Sequence, residues 1–200
     1  FELYSEVTYV SRFDHNVFGL ARGRAAINYL RTGPVIWQTM GELSFAADTW
    51  TFLEVNPEDV AEHTVAAWRE LGVKTLSLGV QALDAEALVF LGRRHRADDA
   101  RRAVALALEA GFDTVSIDLI YGLPGQQAPA WQHELERALT LGAHHFSCYQ
   151  LTIHERTRFA LLERRGKLTQ LSPDEQARLF RLTHEFLNAS GMQGYEVSQF

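Results

Sequence analysis

The stretch Val115-Ser-Ile-Asp-Leu-Ile-Tyr121, followed by Gly122-Leu-Pro-Gly-Gln126, constrains this chain more than any other. A short apolar and β-branched run broken by one carboxylate reads as a strand buried on both faces, its polar side chain standing where the strand ends. An isolated carboxylate inside a packed sheet costs roughly several kcal/mol, so Asp118 must find donors or reach the mouth of a cavity. Gly122-Leu-Pro-Gly125 then stops the strand and lets the backbone pass close to whatever the mouth holds. The alternative is that Asp118 only caps the loop that follows.

Similar short strands recur along the chain, each followed by a helix. Thr51-Phe-Leu-Glu-Val55 reads as a strand ending near Glu54, with Asn56 as N-cap and Pro57 as first residue of a helix running to about Leu71. Ala61, Val65, Trp68 and Leu71 would form its apolar stripe, and Gly72 its C-cap. Lys74 to Gln81 is the next strand. Asp84 caps a short helix to Leu91, the turn Gly92-Arg-Arg-His-Arg96 follows, and a second helix runs from about Ala97 to Ala110. After the Asp118 strand, Trp131, Leu135, Ala138 and Leu139 mark a helix ending at Gly142, and His145 to Gln150 is a fourth strand. Ser172-Pro-Asp-Glu175 is a capping box opening a helix to Gly191, and Gly194 to Ser198 reads as a last strand. Four βα units predict an α/β fold: parallel strands with outer helices, curved into a complete or partial (β/α) barrel. Residues 1–45 show no sustained period and stay unassigned, so the organised domain is residues 46–200.

Composition narrows the function classes. With 200 residues, 46% of them hydrophobic, a sizeable core is expected. Lys and Arg number 19 against 25 Asp and Glu, with no separate basic run, so the footprint of a nucleic-acid partner is missing. No stretch approaches the roughly 20 apolar residues of a membrane span, and no signal peptide is seen at the start, which points to a cytoplasmic protein. The single cysteine, Cys148, cannot form an internal disulfide or hold a metal cluster alone, and flanked by Ser147 and Tyr149 it reads as a small buried residue. The adjacent His144 and His145 point to opposite faces of a strand and read as structural. A chain that opens on Phe1 and closes on a strand-like run reads as part of a longer protein.

In a parallel sheet, functional groups come from the C-terminal strand ends and the loops after them. Glu54, Gln81 and Asp118 end three successive strands; Tyr149, Gln150 and Thr152 close the fourth, and Arg93 follows the second closely enough to reach the rim. Carboxylates accept from ammonium or ribose hydroxyls and a guanidinium clamps a carboxylate, so this set suits an amino acid or nucleoside ligand. Each residue also has a plainer explanation. Gln81 could serve loop backbone, Glu54 could sit at the dipole of a helix starting at Pro57, and Arg93 to Arg96 could be a solvated turn.

Leu53-Glu-Val-Asn-Pro57, Leu78-Gly-Val-Gln81, Asp118-Leu-Ile-Tyr-Gly-Leu-Pro124, Tyr149-Gln-Leu-Thr152 and Tyr195-Glu-Val-Ser198 resemble, in order, the radical S-adenosylmethionine proteins of the oxygen-independent coproporphyrinogen III oxidase group. Tyr149-Gln-Leu-Thr-Ile153 and the stretch from Leu182-Thr-His184 to Tyr195-Glu-Val-Ser198 are similar to its haem chaperone branch. The resemblance covers residues 46–200. It implies that Glu54, Gln81, Arg93 and Asp118 bind S-adenosyl-L-methionine, with Thr152 near a further contact. It also implies a [4Fe–4S] cluster in the intact family member, haem or porphyrin as partner, and a haem-accepting protein as target. The family's three-cysteine loop and its glycine motif should precede Glu54 and are not found there; Arg31-Thr-Gly-Pro34 is a faint echo of the latter. From the resemblance the expected function is haem binding and transfer. The alternatives are oxidative decarboxylation of coproporphyrinogen, or a cluster-free remnant that binds without chemistry.

Overall fold

From Phe52 onward strand and helix alternate in the computed structural model, and its helices, apart from the short one at Arg158–Arg164 that the sequence did not foretell, come from the local signals just described. The structure describes residues 51–200 throughout, and before them the backbone of three strands, β1 (Glu2–Tyr9), β2 (Gly19–Thr32) and β3 (Val35–Phe45). Gly33 and Pro34 of the Arg31 to Pro34 run lie outside the described residues. Four more strands follow: β4 (Phe52–Val55), β5 (Thr75–Gln81), β6 (Thr114–Tyr121) and β7 (His145–Gln150). They form one sheet in sequential order from β1 to β7. β1 to β3 pair antiparallel, which the unassigned first 45 residues did not foretell, and β4 to β7 pair parallel. The fold is α/β, a partial (β/α) barrel.

Helices α1 (Glu62–Glu70), α2 (Ala85–Phe90), α3 (Ala97–Glu109), α4 (Ala128–Leu139), α5 (Arg158–Arg164) and α6 (Pro173–Ala189) complete the described elements. No helix among the described residues is long and apolar enough to cross a membrane. Two caps stand as the sequence has them. The Asp84 carboxylate accepts from Ala87 N–H at 2.8 Å, and Ser172 and Glu175 form a reciprocal capping box. Asn56 is different: its side chain caps nothing, and Pro57 opens only a single 3₁₀ turn, Pro57–Asp59. Val60 is extended and buried in the core, and the Thr64 hydroxyl takes the Ala61 N–H at 2.9 Å, so the helix starts at Glu62. Leu71 lies outside the apolar stripe and is exposed. The Gly194 to Ser198 run is no regular strand. It lies along the edge of β7, where Cys148 N–H donates to Ser198 O at 2.8 Å and Phe146 and Phe200 exchange two bonds of 3.0 Å.

The sheet is two-faced. Leu76, Leu78, Val115, Ile117, Leu119, Phe146 and Cys148 share one core with Ala103, Val104 and Ala107 of α3, Trp131 and Leu135 of α4, and Leu179 and Leu187 of α6. Burying each large apolar side chain there stabilises the fold by about 1.5–3 kcal/mol. The alternate residues on these strands are Thr75, Ser77, Thr114, Ser116, Asp118, His145 and Ser147, and they face a cleft instead.

Candidate functional site

β6 runs on to Tyr121, so Asp118 stands within the strand and not at its end. The period-2 pleat turns it to the same face as Ser77 and Ser116, and that face is polar, so this strand is not apolar on both sides. Register carries the row across the sheet. Glu54 lies opposite Ser77, Ser77 opposite Ser116, Ser116 opposite His145, and Asp118 opposite Ser147. The cleft above these rows has a volume of about 440 Å³; Glu54, Ser77, Asp118, His145, Tyr149 and Tyr195 are among the residues lining it.

Asp118 accepts from the Ser77 hydroxyl at 3.3 Å. Burial pushes its carboxyl up to about 6, and the Glu54 carboxylate pushes the same way; the Ser147 and Ser77 hydroxyls and the Arg93 guanidinium oppose this. The loop-capping role belongs to Gln126, whose Oε1 accepts from Gly122 N–H at 2.7 Å and Leu123 N–H at 3.3 Å. With only one 3₁₀ turn after Pro57, a helix dipole does not explain Glu54 either.

A second cluster forms beside the cleft, around Gly79. Arg93 Nη2 donates to Asn56 Oδ1 at 2.8 Å and to Gly79 O at 3.0 Å. Burial lowers the Arg93 pKa from its ordinary value, countered by the Glu58 and Asp118 carboxylates. A side chain at Gly79 would begin 3.0 Å from Gln81 Nε2, 3.1 Å from Arg93 Nη2 and 3.6 Å from Asn56 Oδ1, so any larger residue would push the Gln81 and Arg93 side-chain ends apart. Gln81 makes no side-chain hydrogen bond among the described residues, and at φ +65° it is held in a left-handed conformation. Glu54 and Asp118 thus share the cleft, Gln81 and Arg93 share the adjoining cluster, and Asp118 is coupled electrostatically to both Glu54 and Arg93.

The remaining residues divide. Tyr149 lines the cleft, whereas Gln150 turns away to Gln176 of α6 at 2.9 Å and the Thr152 hydroxyl donates to Gln150 O at 3.4 Å. His145, read as structural, lines the cleft and bridges Ser116 Oγ at 2.7 Å to the Tyr195 hydroxyl at 2.8 Å. Its place on the polar face was legible in the alternation His145, Ser147, Tyr149. His144 accepts from Val115 N–H at 3.0 Å. Asn56 was read as a helix cap and is instead the acceptor that steadies Arg93.

The model of the radical SAM superfamily matches residues 10–138. The chain belongs to the radical SAM superfamily. Radical SAM relatives with curated names include "Heme chaperone HemW" of Bacillus subtilis, 34% identical over 74% of this chain and 39% of its own length. The protein of the same name from Escherichia coli is 35% identical over 86% of this chain and 45% of its own. Among solved structures, the coproporphyrinogen III oxidase of Escherichia coli, a radical SAM enzyme, superposes with a TM-score of 0.65 at 26% identity, covering 74% of this chain and 34% of that one. The chain therefore spans less than half the length of these radical SAM relatives.

Proposed function

We propose that this chain is the S-adenosylmethionine-binding part of a haem chaperone of the HemW kind, acting in haem binding and transfer. One observation supports the cofactor reading: three adjacent parallel strands and one crossover bring Glu54 and Asp118 to the cleft and Gln81 and Arg93 to the cluster beside it, with Asp118 coupled electrostatically to Glu54 and Arg93. In this reading the Arg93 guanidinium holds the cofactor's carboxylate, Glu54 accepts from its ammonium group, and Asp118 and Gln81 bond the ribose hydroxyls. When bound beside a reduced cluster, S-adenosylmethionine supplies radical chemistry. The residues of this chain do not fit a [4Fe–4S] cluster. Its one cysteine, Cys148, is buried among the residues of the helix-packed core, and burial, with help from Asp118, pushes the thiol up to about 12. Any thiolate ligands would come from other polypeptide of the intact protein.

Calorimetric titration with S-adenosylmethionine tests the rim. Asp118→Ala should weaken binding by about 1–3 kcal/mol, the cost of a lost charge-assisted hydrogen bond. Unchanged affinity would remove Asp118 from the site. Haem and a haem-accepting protein as partners are supported by the similarity to the named haem chaperones, and a cytoplasmic location accords with the sequence. The likeness to coproporphyrinogen III oxidase favours a second reading, decarboxylation of a porphyrinogen. Haem-transfer and decarboxylation assays on the full-length protein separate the two, and turnover of coproporphyrinogen would decide for the second.

A further inference from the structure

Gln81 sits at the centre of a γ-turn, closed by Ala82 N–H donating to Val80 O at 2.8 Å, with φ +65°. Three-residue turns with a positive central φ are rare and strained, and a non-glycine residue stays in one only where its surroundings over-determine it. The surroundings do so from both sides. Before the turn, buried His95 sets Nε2 against Val80 O at 3.0 Å. After it, buried Glu134 of α4 accepts through Oε1 from Leu83 N–H and from Asp84 N–H, the latter at 3.0 Å. Arg137, one turn further along α4, donates Nη2 to Leu83 O at 2.6 Å and Nη1 to Glu134 Oε2 at 3.4 Å. One helix thus grips both the N–H and the C=O of Leu83. That helix is anchored, with Trp131, Leu135 and Ala138 fully buried and Trp131 Nε1 donating to Thr183 of α6 at 2.8 Å.

We propose that Glu134 and Arg137 are positioning residues for the rim: they hold the strained turn so that the Gln81 amide stays beside Arg93 and Asn56 around Gly79. Neither lines the Glu54–Asp118 cleft, so they act through Gln81.

The inference rests on the cofactor reading above, and a double-mutant cycle keeps the two apart. S-adenosylmethionine is titrated calorimetrically into the 200-residue chain as wild type, Gln81→Ala, Glu134→Ala and the double variant. Each single change should lower affinity about tenfold, and the pair should lose about as much as either alone, because both remove the same contact. Glu134→Gln keeps an oxygen for the two amides and should stay within about threefold of wild type. Losses that multiply to about a hundredfold in the pair, or wild-type affinity in Glu134→Ala, would overturn the proposal. If Glu134→Ala does not fold, Arg137→Ala enters the same cycle with the same deciding outcomes. Wild-type affinity in both Gln81→Ala and Asp118→Ala would show that the rim reading has failed and this inference with it. Weakened binding in those two with an additive cycle would reject the clamp alone.

Discussion

At the scale of single residues, Asp118 opposes its own fold. Its carboxyl titrates near 6, against 3.8 for the free side chain, chiefly because burial disfavours the anion. The folded state therefore holds the proton more tightly than the unfolded chain, and the resulting stability is fully present below about pH 4. It is lost as pH rises through about 6, and the ionised group then costs on the order of 3 kcal/mol. Asp118→Asn should melt at a higher temperature than wild type at pH 8, and the gap should close as pH falls to 4. Thermal melts across that range check it, and a variant less stable at pH 8 would mean that the anion is well solvated. A ligand that donates hydrogen bonds to the carboxylate would relieve the same cost, which is how a binding group can be retained against stability. Gly79 shows a second residue-scale constraint. Gly79→Ala should weaken S-adenosylmethionine binding several-fold while the melting temperature falls little, because the added methyl meets the ends of the Gln81 and Arg93 side chains and not backbone. Calorimetry beside a melt measures both.

At the scale of elements, the helices serve the strands they cover. The α4 helix presents Trp131 to α6, where the indole N–H donates to the Thr183 hydroxyl, which itself donates to Leu179 O at 2.8 Å. Both partners are buried, so Thr183→Val keeps the shape and leaves Trp131 Nε1 without an acceptor. It should destabilise the chain by about 1–3 kcal/mol in urea unfolding. A cost near zero would show that water reaches the indole.

At the scale of the whole molecule, the run from Gly194 to Phe200 covers the edge of β7. Phe200 is buried, and its backbone exchanges two hydrogen bonds with Phe146. Much of this architecture was legible. The helix caps at Asp84 and Ser172, the parallel βα order and the polar residues that interrupt the apolar strands follow from signals within a few positions of one another. Residues 1–45 gave no such signal, and their antiparallel strands β1 to β3 were not foreseen. Leu71 and Asn56 misled because a helical stripe and a cap motif describe what a segment can do alone. Whether Leu71 finds a partner, or Asn56 meets Arg93 instead of a helix, is settled by elements far along the chain.

The sequence by itself determined where strands and helices alternate from Phe52 onward and that polar residues interrupt the apolar strands, because propensity, pleat and capping act over one turn or one strand. Only the tertiary structure decided that the alternate positions of β5, β6 and β7 line one shared cleft and that Gln81 adopts a positive φ. Those outcomes depend on contacts such as Glu134 with Leu83, 51 positions apart, which no local pattern encodes and which form only once the sheet and its helices have packed.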